Sequence, residues 1–158
     1  MFTDSESSTL WQVNQDARIL AFDLVTLEEK FTLSPPLSSK NIVHRHCHSF
    51  QRYKLSSYFA IGTIDARVFI WDLERGIISH TLQLTSPCYQ CILDIKQGSI
   101  FLHMHSTQVY QFDLKTGHEI QSFKVGSKNI DKIALNPKVR LMAVAARYVP
   151  CIETIVVM

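Results

Sequence analysis

The chain has 158 residues, of which 46% are hydrophobic and 19% are charged, and it carries a formal net charge of +2. These values are typical of a globular domain with its own core, and they exclude a disordered chain and a general electrostatic attraction to nucleic acid. No run reaches the roughly 18 consecutive apolar residues that a membrane helix needs.

The N-terminal segment, residues 1–8, is polar and acidic, and we expect it to be disordered. It lacks the basic start and the apolar centre of a secretory signal peptide. The four cysteines are too few and too scattered for a disulfide-rich secreted scaffold. Together these features favour a reducing intracellular compartment.

A nine-residue pattern occurs three times along the chain, and each copy ends in an aromatic residue followed by Asp-Leu. The copies begin at Asp16, Asp65 and Ser106. Their aromatic–Asp pairs are Phe22-Asp23, Trp71-Asp72 and Phe112-Asp113. Because Asp side chains bond nearby backbone amides in tight turns, an Asp that recurs in every unit indicates a turn and not a catalytic group.

The spacing of these pairs indicates four-stranded repeat units. Asp72 and Asp113 are 41 residues apart, whereas Asp23 and Asp72 are 49 residues apart. A period of about 40–45 residues is typical of the four-stranded blades of β-propellers. The longer first interval predicts an insertion loop at about residues 34–55, where the run Ser-Pro-Pro-Leu-Ser-Ser is typical of a loop.

Short apolar runs separated by turn residues predict the strands of the second and third units. The second unit has such runs at residues 58–62, 67–73 and 77–84. The third unit has them at residues 88–95, 99–104, 109–114 and 119–125. No segment has a sustained helical period, so the predicted fold class is all-β.

Residues 68–71, Val-Phe-Ile-Trp, are apolar at consecutive positions. A strand with one solvated face would alternate, so we expect a sheet that is covered on both faces, as neighbouring blades cover one another in a propeller. A β-sandwich is the alternative, but it gives no reason for a repeat of 41 residues. The prediction is a partial propeller of about three four-stranded antiparallel blades over residues 9–148.

Residues 60–72 resemble the centre of a WD repeat. The resemblance implies that Thr63, Asp65 and Trp71 form a hydrogen-bonded structural set with a His. The sequence offers no candidate for that His, because the Gly-His pair that usually opens a repeat is absent. The other two units match only in part, through Asp16 and Phe22 and through Thr107 and Phe112. The family implies a non-catalytic scaffold for protein assembly.

A narrower resemblance rests on residues 109–117, which lead into residues 133–143, and on the long insertion ahead of the second unit. This order is similar to the N-terminal propeller of WD-repeat proteins of the small-subunit processome. It implies a nucleolar scaffold in pre-ribosomal RNA transcription and processing. A generic WD-repeat adaptor in a cytoplasmic complex is the alternative.

Three aromatic–Asp pairs are fewer than the blades of a closed propeller, which number about 4–8. One more period after Asp113 falls at Thr154, where no such pair occurs, and residues 149–158 are interpreted as a divergent C-terminal tail. A truncated or alternatively ended product fits this pattern. We expect exposed apolar outer faces and association with a partner chain.

The stretch from Lys30 to Ile64 carries five Lys or Arg residues and no Asp or Glu. It leaves two hypotheses for the partner. In the first, exposed loops and blade edges dock other proteins of a complex. In the second, Arg45, Arg52 and Lys54 contact the phosphates of RNA. Neither a membrane nor a small-molecule substrate is predicted.

Two clusters of reactive side chains are interpreted as structural. His44, His46 and His48 share one face of an extended segment, but no second ligand pair accompanies them. Cys88 and Cys91 have redox spacing, yet on a strand they are expected to point to opposite faces and to be buried. No nucleophile-elbow, phosphate-loop or zinc-protease motif is present. We therefore predict no enzyme, no metal and no cofactor.

Overall fold

The computed structural model describes residues 2–4, 8–14, 18–34, 43–53, 56–104, 107–125, 130–136, 138–139, 141–146 and 152–156. The strands are β1 (Phe2–Asp4), β2 (Thr9–Val13), β3 (Ile19–Asp23), β4 (Glu29–Leu33), β5 (Val43–Tyr53), β6 (Ser56–Thr63), β7 (Arg67–Asp72), β8 (Ile77–Gln83), β9 (Cys88–Asp94), β10 (Ser99–Met104), β11 (Gln108–Asp113), β12 (Glu119–Lys124), β13 (Ile130–Asn136), β14 (Leu141–Ala146) and β15 (Ile152–Val156). A single 3₁₀ turn, Ile95–Gln97, is the helical element of these residues. None of the described segments is an apolar helix long enough to cross a bilayer.

The strands form four antiparallel sheets that follow one another along the chain. Sheet 1 contains β1–β4, sheet 2 contains β5–β8, sheet 3 contains β9–β12 and sheet 4 contains β13–β15. Consecutive strands are hydrogen-bonded neighbours within every sheet. The predicted all-β class and the four-stranded antiparallel sheets are confirmed. The strands predicted for the second and third units are also confirmed, to within two residues at each end.

Sheet 4 extends the repeat beyond the three units that the sequence predicts. Its strands β13 and β14 begin 42 residues after β9 and β10. Thr154, one period after Asp113, lies in β15, the third strand of this sheet. The ladder bonds between backbones do not require the aromatic–Asp pair, and the run Ile-Glu-Thr-Ile-Val has high β-propensity. The backbone period therefore continues into the segment expected to be a divergent tail.

Two further segments differ from the expectation. Residues 43–53, which the sequence assigns to an insertion loop, form β5 and pair with β6. Residues 2–4, expected to be disordered, form β1 and pair with β2. Strand β1 has three residues and β5 is mostly polar, so neither shows hydrophobic alternation. Pairing with the neighbouring strand therefore makes these two segments extended. Residues 35–42 and 54–55 of the predicted loop lie outside the described residues.

The hydrophobic core consists of three clusters, each filled by two consecutive sheets and their flanking turns. Sheets 1 and 2 share Trp11, Ile19, Ala21, Phe59, Ile61, Phe69, Trp71 and Leu73. Sheets 2 and 3 share Ala60, Val68, Ile70, Leu82, Leu84, Cys88, Cys91, Leu93, Ile100, Leu102, Met104 and Leu114. Sheets 3 and 4 share Phe101, Val109, Val125, Ile130, Ile133, Met142 and Val144. The sheets therefore pack face to face in chain order.

Strand β7 explains the run of consecutive apolar residues in the sequence. Val68 and Ile70 point into the cluster towards sheet 3, whereas Phe69 and Trp71 point into the cluster towards sheet 1. Each of these side chains is at most 4% exposed, and burial stabilises each by about 1.5–3 kcal/mol. The expected cover on both faces of this sheet is confirmed.

Polar side chains join the first strands of consecutive sheets. The Leu93 and Ile95 amides donate to Ser49 Oγ at 3.0 Å and to Gln51 Oε1 at 2.7 Å, across the junction between sheets 2 and 3. Gln90 does the same across the next junction: its Oε1 accepts from the Ile133 amide at 2.8 Å and its Nε2 donates to the Ile133 carbonyl at 2.9 Å. These bonds give partners to backbone groups at a sheet edge.

Candidate functional site

The aromatic residues of the repeat occupy one position in their sheets. Phe22, Trp71 and Phe112 are each the last residue but one of the third strand. In all three sheets, the pairing of the third strand with the fourth shifts register immediately before this aromatic residue. The sequence mark therefore corresponds to a repeated backbone irregularity, a β-bulge that lies next to the hairpin turn.

The aspartate of each pair organises the turn that follows. Asp23 Oδ1 accepts from the amides of Val25 at 2.7 Å and Thr26 at 3.1 Å. Asp72 and Asp113 each accept from the amide of the third residue after them. Asp72 accepts from Arg75 at 3.2 Å, and Asp113 accepts from Thr116 at 2.7 Å. Bonds from these amides, that of Thr26 first, hold the pKa of Asp23 below its usual value. The Thr116 amide lowers the pKa of Asp113 likewise.

The backbone around the three turns repeats in detail. The amide of the leucine after each Asp donates to a backbone carbonyl at the start of the second strand. Leu24 donates to Ser8 at 2.9 Å, Leu73 to Ser57 at 2.9 Å and Leu114 to Gly98 at 2.8 Å. The fourth residue after each Asp has a left-handed φ, 60° at Leu27, 65° at Gly76 and 72° at Gly117. Glycine adopts this conformation readily, whereas leucine is strained there.

A second polar network lies at the opposite end of sheet 2, in the turn between β6 and β7. The buried Thr63 hydroxyl contacts the Asp65 carboxylate and the Arg67 carbonyl, the latter at 3.1 Å. The Arg67 guanidinium donates from Nε to Asp65 Oδ2 at 2.7 Å and lies over the Phe69 ring. Partial burial raises the pKa of Asp65, but the bonds from Arg67 and Thr63 outweigh it, so the net pKa is lowered.

The Trp71 indole does not join this network. Trp71 is 4% exposed, and its Nε1 has no hydrogen-bond acceptor in the part of the chain that the structure describes. The acceptors at Asp65 are engaged by Thr63 and by Arg67, a residue that the sequence analysis did not single out. An Arg two residues after a turn Asp was the available signal in the sequence.

The predicted RNA contacts are only partly within the described residues. Arg52 lies near the end of β5 and is half-buried. The side chain of Arg45, together with Lys54 and the repeat residue Asp16, lies outside the described residues. The side chains of residues 44–48 lie outside them as well, and the described residues contain no group of three or more potential metal ligands. The RNA contact remains a prediction.

The cysteine pair corrects one expectation of geometry. Cys88 and Cys91 are buried free thiols, but both lie in the cluster between sheets 2 and 3. The register of β9 shifts opposite His103 and Met104, which pair with Gln90 and Cys88 and leave Tyr89 as an inserted residue. This extra residue reverses the alternation, so two cysteines three apart share a face.

Comparison with known proteins gives no relative: no protein-family model matches the chain, and no curated protein matches it.

Proposed function

We propose that the chain forms part of a WD-repeat β-propeller and acts as a non-catalytic scaffold for protein assembly. The observation that supports this most strongly is a contact that recurs between consecutive sheets. A Cβ at Gly76 of sheet 2 would lie 3.4 Å from Leu33 of sheet 1, and a Cβ at Gly117 of sheet 3 would lie 3.7 Å from Leu82 of sheet 2. Leu33 and Leu82 occupy the same position, six residues after Leu27 and Gly76.

A repeated contact is what a single operation would produce if it related sheet 1 to sheet 2 and sheet 2 to sheet 3. Polar bonds also join the first strands at the next two junctions, from Leu93 of sheet 3 to Ser49 of sheet 2 and from Ile133 of sheet 4 to Gln90 of sheet 3, so the first strands lie side by side there. A sandwich pairs two sheets and stops, whereas repetition of one operation generates the blades of a propeller. The arrangement therefore favours the propeller over the sandwich.

The hairpin turns supply a surface on which partners can be distinguished. All three turns share the backbone described above, but their exposed side chains differ in character. In the first turn, Val25 and Leu27 are 83% and 67% exposed. The position of Val25 is occupied by Glu74 in the second turn and by Lys115 in the third. A constant frame with variable exposed side chains is typical of a binding surface.

The assembly that we propose is that of the nucleolar small ribosomal subunit precursor, on the resemblance of residues 109–117 and 133–143. The test is affinity purification of the tagged full chain from cells, followed by quantitative mass spectrometry. Enrichment of small-subunit processome proteins is the expected result, and enrichment of trafficking, signalling or ubiquitin-ligase components instead would contradict it.

A matched variant sharpens this experiment. Val25→Ser combined with Leu27→Gly removes both apolar side chains of the first turn, and glycine suits the left-handed φ at residue 27. The fold is expected to survive, as checked by circular dichroism. Loss of the enriched proteins from this variant would assign their docking to the first turn. Unchanged recovery would show that the partners bind elsewhere on the chain.

A further inference from the structure

Sheets 1 and 4 each have one face that no hydrophobic cluster of the described residues covers. In sheet 1 this face carries Leu10 and Phe22, which are directly paired, together with Leu20. All three are half-buried, whereas Trp11, Ile19 and Ala21 on the other face are buried against sheet 2. The same face also carries Gln12, which pairs with Leu20 and is exposed.

The directly paired residues of the second and third strands show which face of sheets 2 and 3 is equivalent to this face of sheet 1. The pair Leu10–Phe22 is equivalent to Phe59–Trp71 in sheet 2 and to Ile100–Phe112 in sheet 3. Those two pairs pack against the preceding sheet. The face of sheet 1 that carries Phe22 is therefore the same surface, at the one junction of the series that has no partner within the described residues.

Sheet 4 offers the complementary surface. Met142 and Val144 of β14 pack against sheet 3, so the alternate residues Leu141, Ala143 and Ala145 lie on the opposite face. These three side chains are half-buried and belong to no described cluster. Small residues there match the junction between sheets 2 and 3, where Ala60 lies in the cluster with the larger Ile100.

We propose that a second copy of this chain packs its sheet 4 on sheet 1 of the first, and that the same contact forms reciprocally. Two identical junctions then close a ring of eight sheets, within the range of about 4–8 blades seen in propellers. A head-to-tail contact that closes with two copies covers both of these faces, that of sheet 1 and that of sheet 4. This inference rests on the proposed propeller arrangement, but it concerns self-association and not the other proteins that the scaffold binds.

The test is the mass of the full chain in solution, measured by light scattering after size-exclusion chromatography at about 1–100 μM. A dimer is expected. Phe22→Asp and Ala143→Glu each introduce a charge into one side of the junction and should weaken dimerisation at least about 100-fold. Ile120→Asp, at an exposed position of β12, is the matched control and should remain dimeric. Circular dichroism checks that each variant is folded.

Mixing the two variants tests the direction of the contact. Phe22→Asp retains an intact sheet 4 face, and Ala143→Glu retains an intact sheet 1 face, so the mixture should form a heterodimer through one junction. A monomeric wild-type chain would overturn the proposal, as would a dimer of either variant alone or a mixture that stays monomeric. Recovery of processome proteins is a separate readout, so failure of self-association and failure of the proposed function are distinguishable.

Discussion

Replacement of Trp71 by phenylalanine tests whether the Trp71 indole donates a hydrogen bond in the folded chain. The indole Nε1 is buried without an acceptor among the described residues, and an unsatisfied buried donor costs about 1–3 kcal/mol. Removal of the second ring loses burial and leaves a small cavity, at a cost of about 1–2 kcal/mol. The two effects oppose each other, and sheets 1 and 3 already carry phenylalanine at this position. We therefore expect the free energy of unfolding to change by less than about 1 kcal/mol.

The assay is urea unfolding of the full chain, monitored by far-ultraviolet circular dichroism because the variant removes a tryptophan. The dependence of the unfolding free energy on urea concentration is compared between variants. Phe69→Leu is the control for lost ring volume, because Phe69 lies two residues earlier in the same cluster; this variant also loses the contact of the ring with the Arg67 guanidinium. It should destabilise by about 1–2 kcal/mol. A loss of about 3 kcal/mol or more in Trp71→Phe would refute the reasoning, since it would mean that Nε1 donates a hydrogen bond in the folded chain.

Three further outcomes are expected. Gly117→Ala should destabilise by about 1 kcal/mol in urea unfolding, because φ is +72° while the nearest atom, Leu82 Cδ2, is an ordinary 3.7 Å from the new Cβ; an unchanged stability would contradict the left-handed turn. Asp113 has a pKa below its ordinary value of 3.8, so its stabilisation is present above that pH and lost as pH falls through the lower folded-state pKa; the stability difference between wild type and Asp113→Asn should shrink on acidification below about pH 4, and a constant difference would count against it. If the basic stretch contacts RNA, the affinity for single-stranded RNA should fall with salt at a log–log slope of about −0.7 per phosphate, and Arg52→Ala should reduce that slope; a flat slope leaves the protein-binding scaffold alone.

The strands of the second and third units were predictable because local signals agree. Their apolar runs, bounded by turn residues, specify extended segments without reference to distant parts of the chain. Strand β5 was not predictable in this way, since its residues are mostly polar and it is fixed by pairing with β6 and by bonds that Ser49 and Gln51 accept from the Leu93 and Ile95 amides. Sheet 4 was missed because the aromatic–Asp pair is absent from β15 although the backbone period continues.

The polar sites likewise divide into those that a sequence pattern predicts and those that depend on the folded backbone. The turn role of Asp23, Asp72 and Asp113 follows from a recurring sequence mark. The bond from Arg67 to Asp65 depends on the turn between β6 and β7, which places Asp65 beside the first residue of β7, and the reversal of the cysteine pair depends on one inserted residue at Tyr89. A register shift moves every later side chain to the other face, and the hydrophobic pattern of a short strand does not reveal it.

The most direct test of the propeller arrangement is an experimental structure of the full chain. Superposition of sheet 1 on sheet 2, and of sheet 2 on sheet 3, should require the same rotation about one common axis and should bring Phe22, Trp71 and Phe112 to a single position. Different rotations at the two junctions, or aromatic residues at non-equivalent positions, would contradict the propeller and with it the scaffold that we propose.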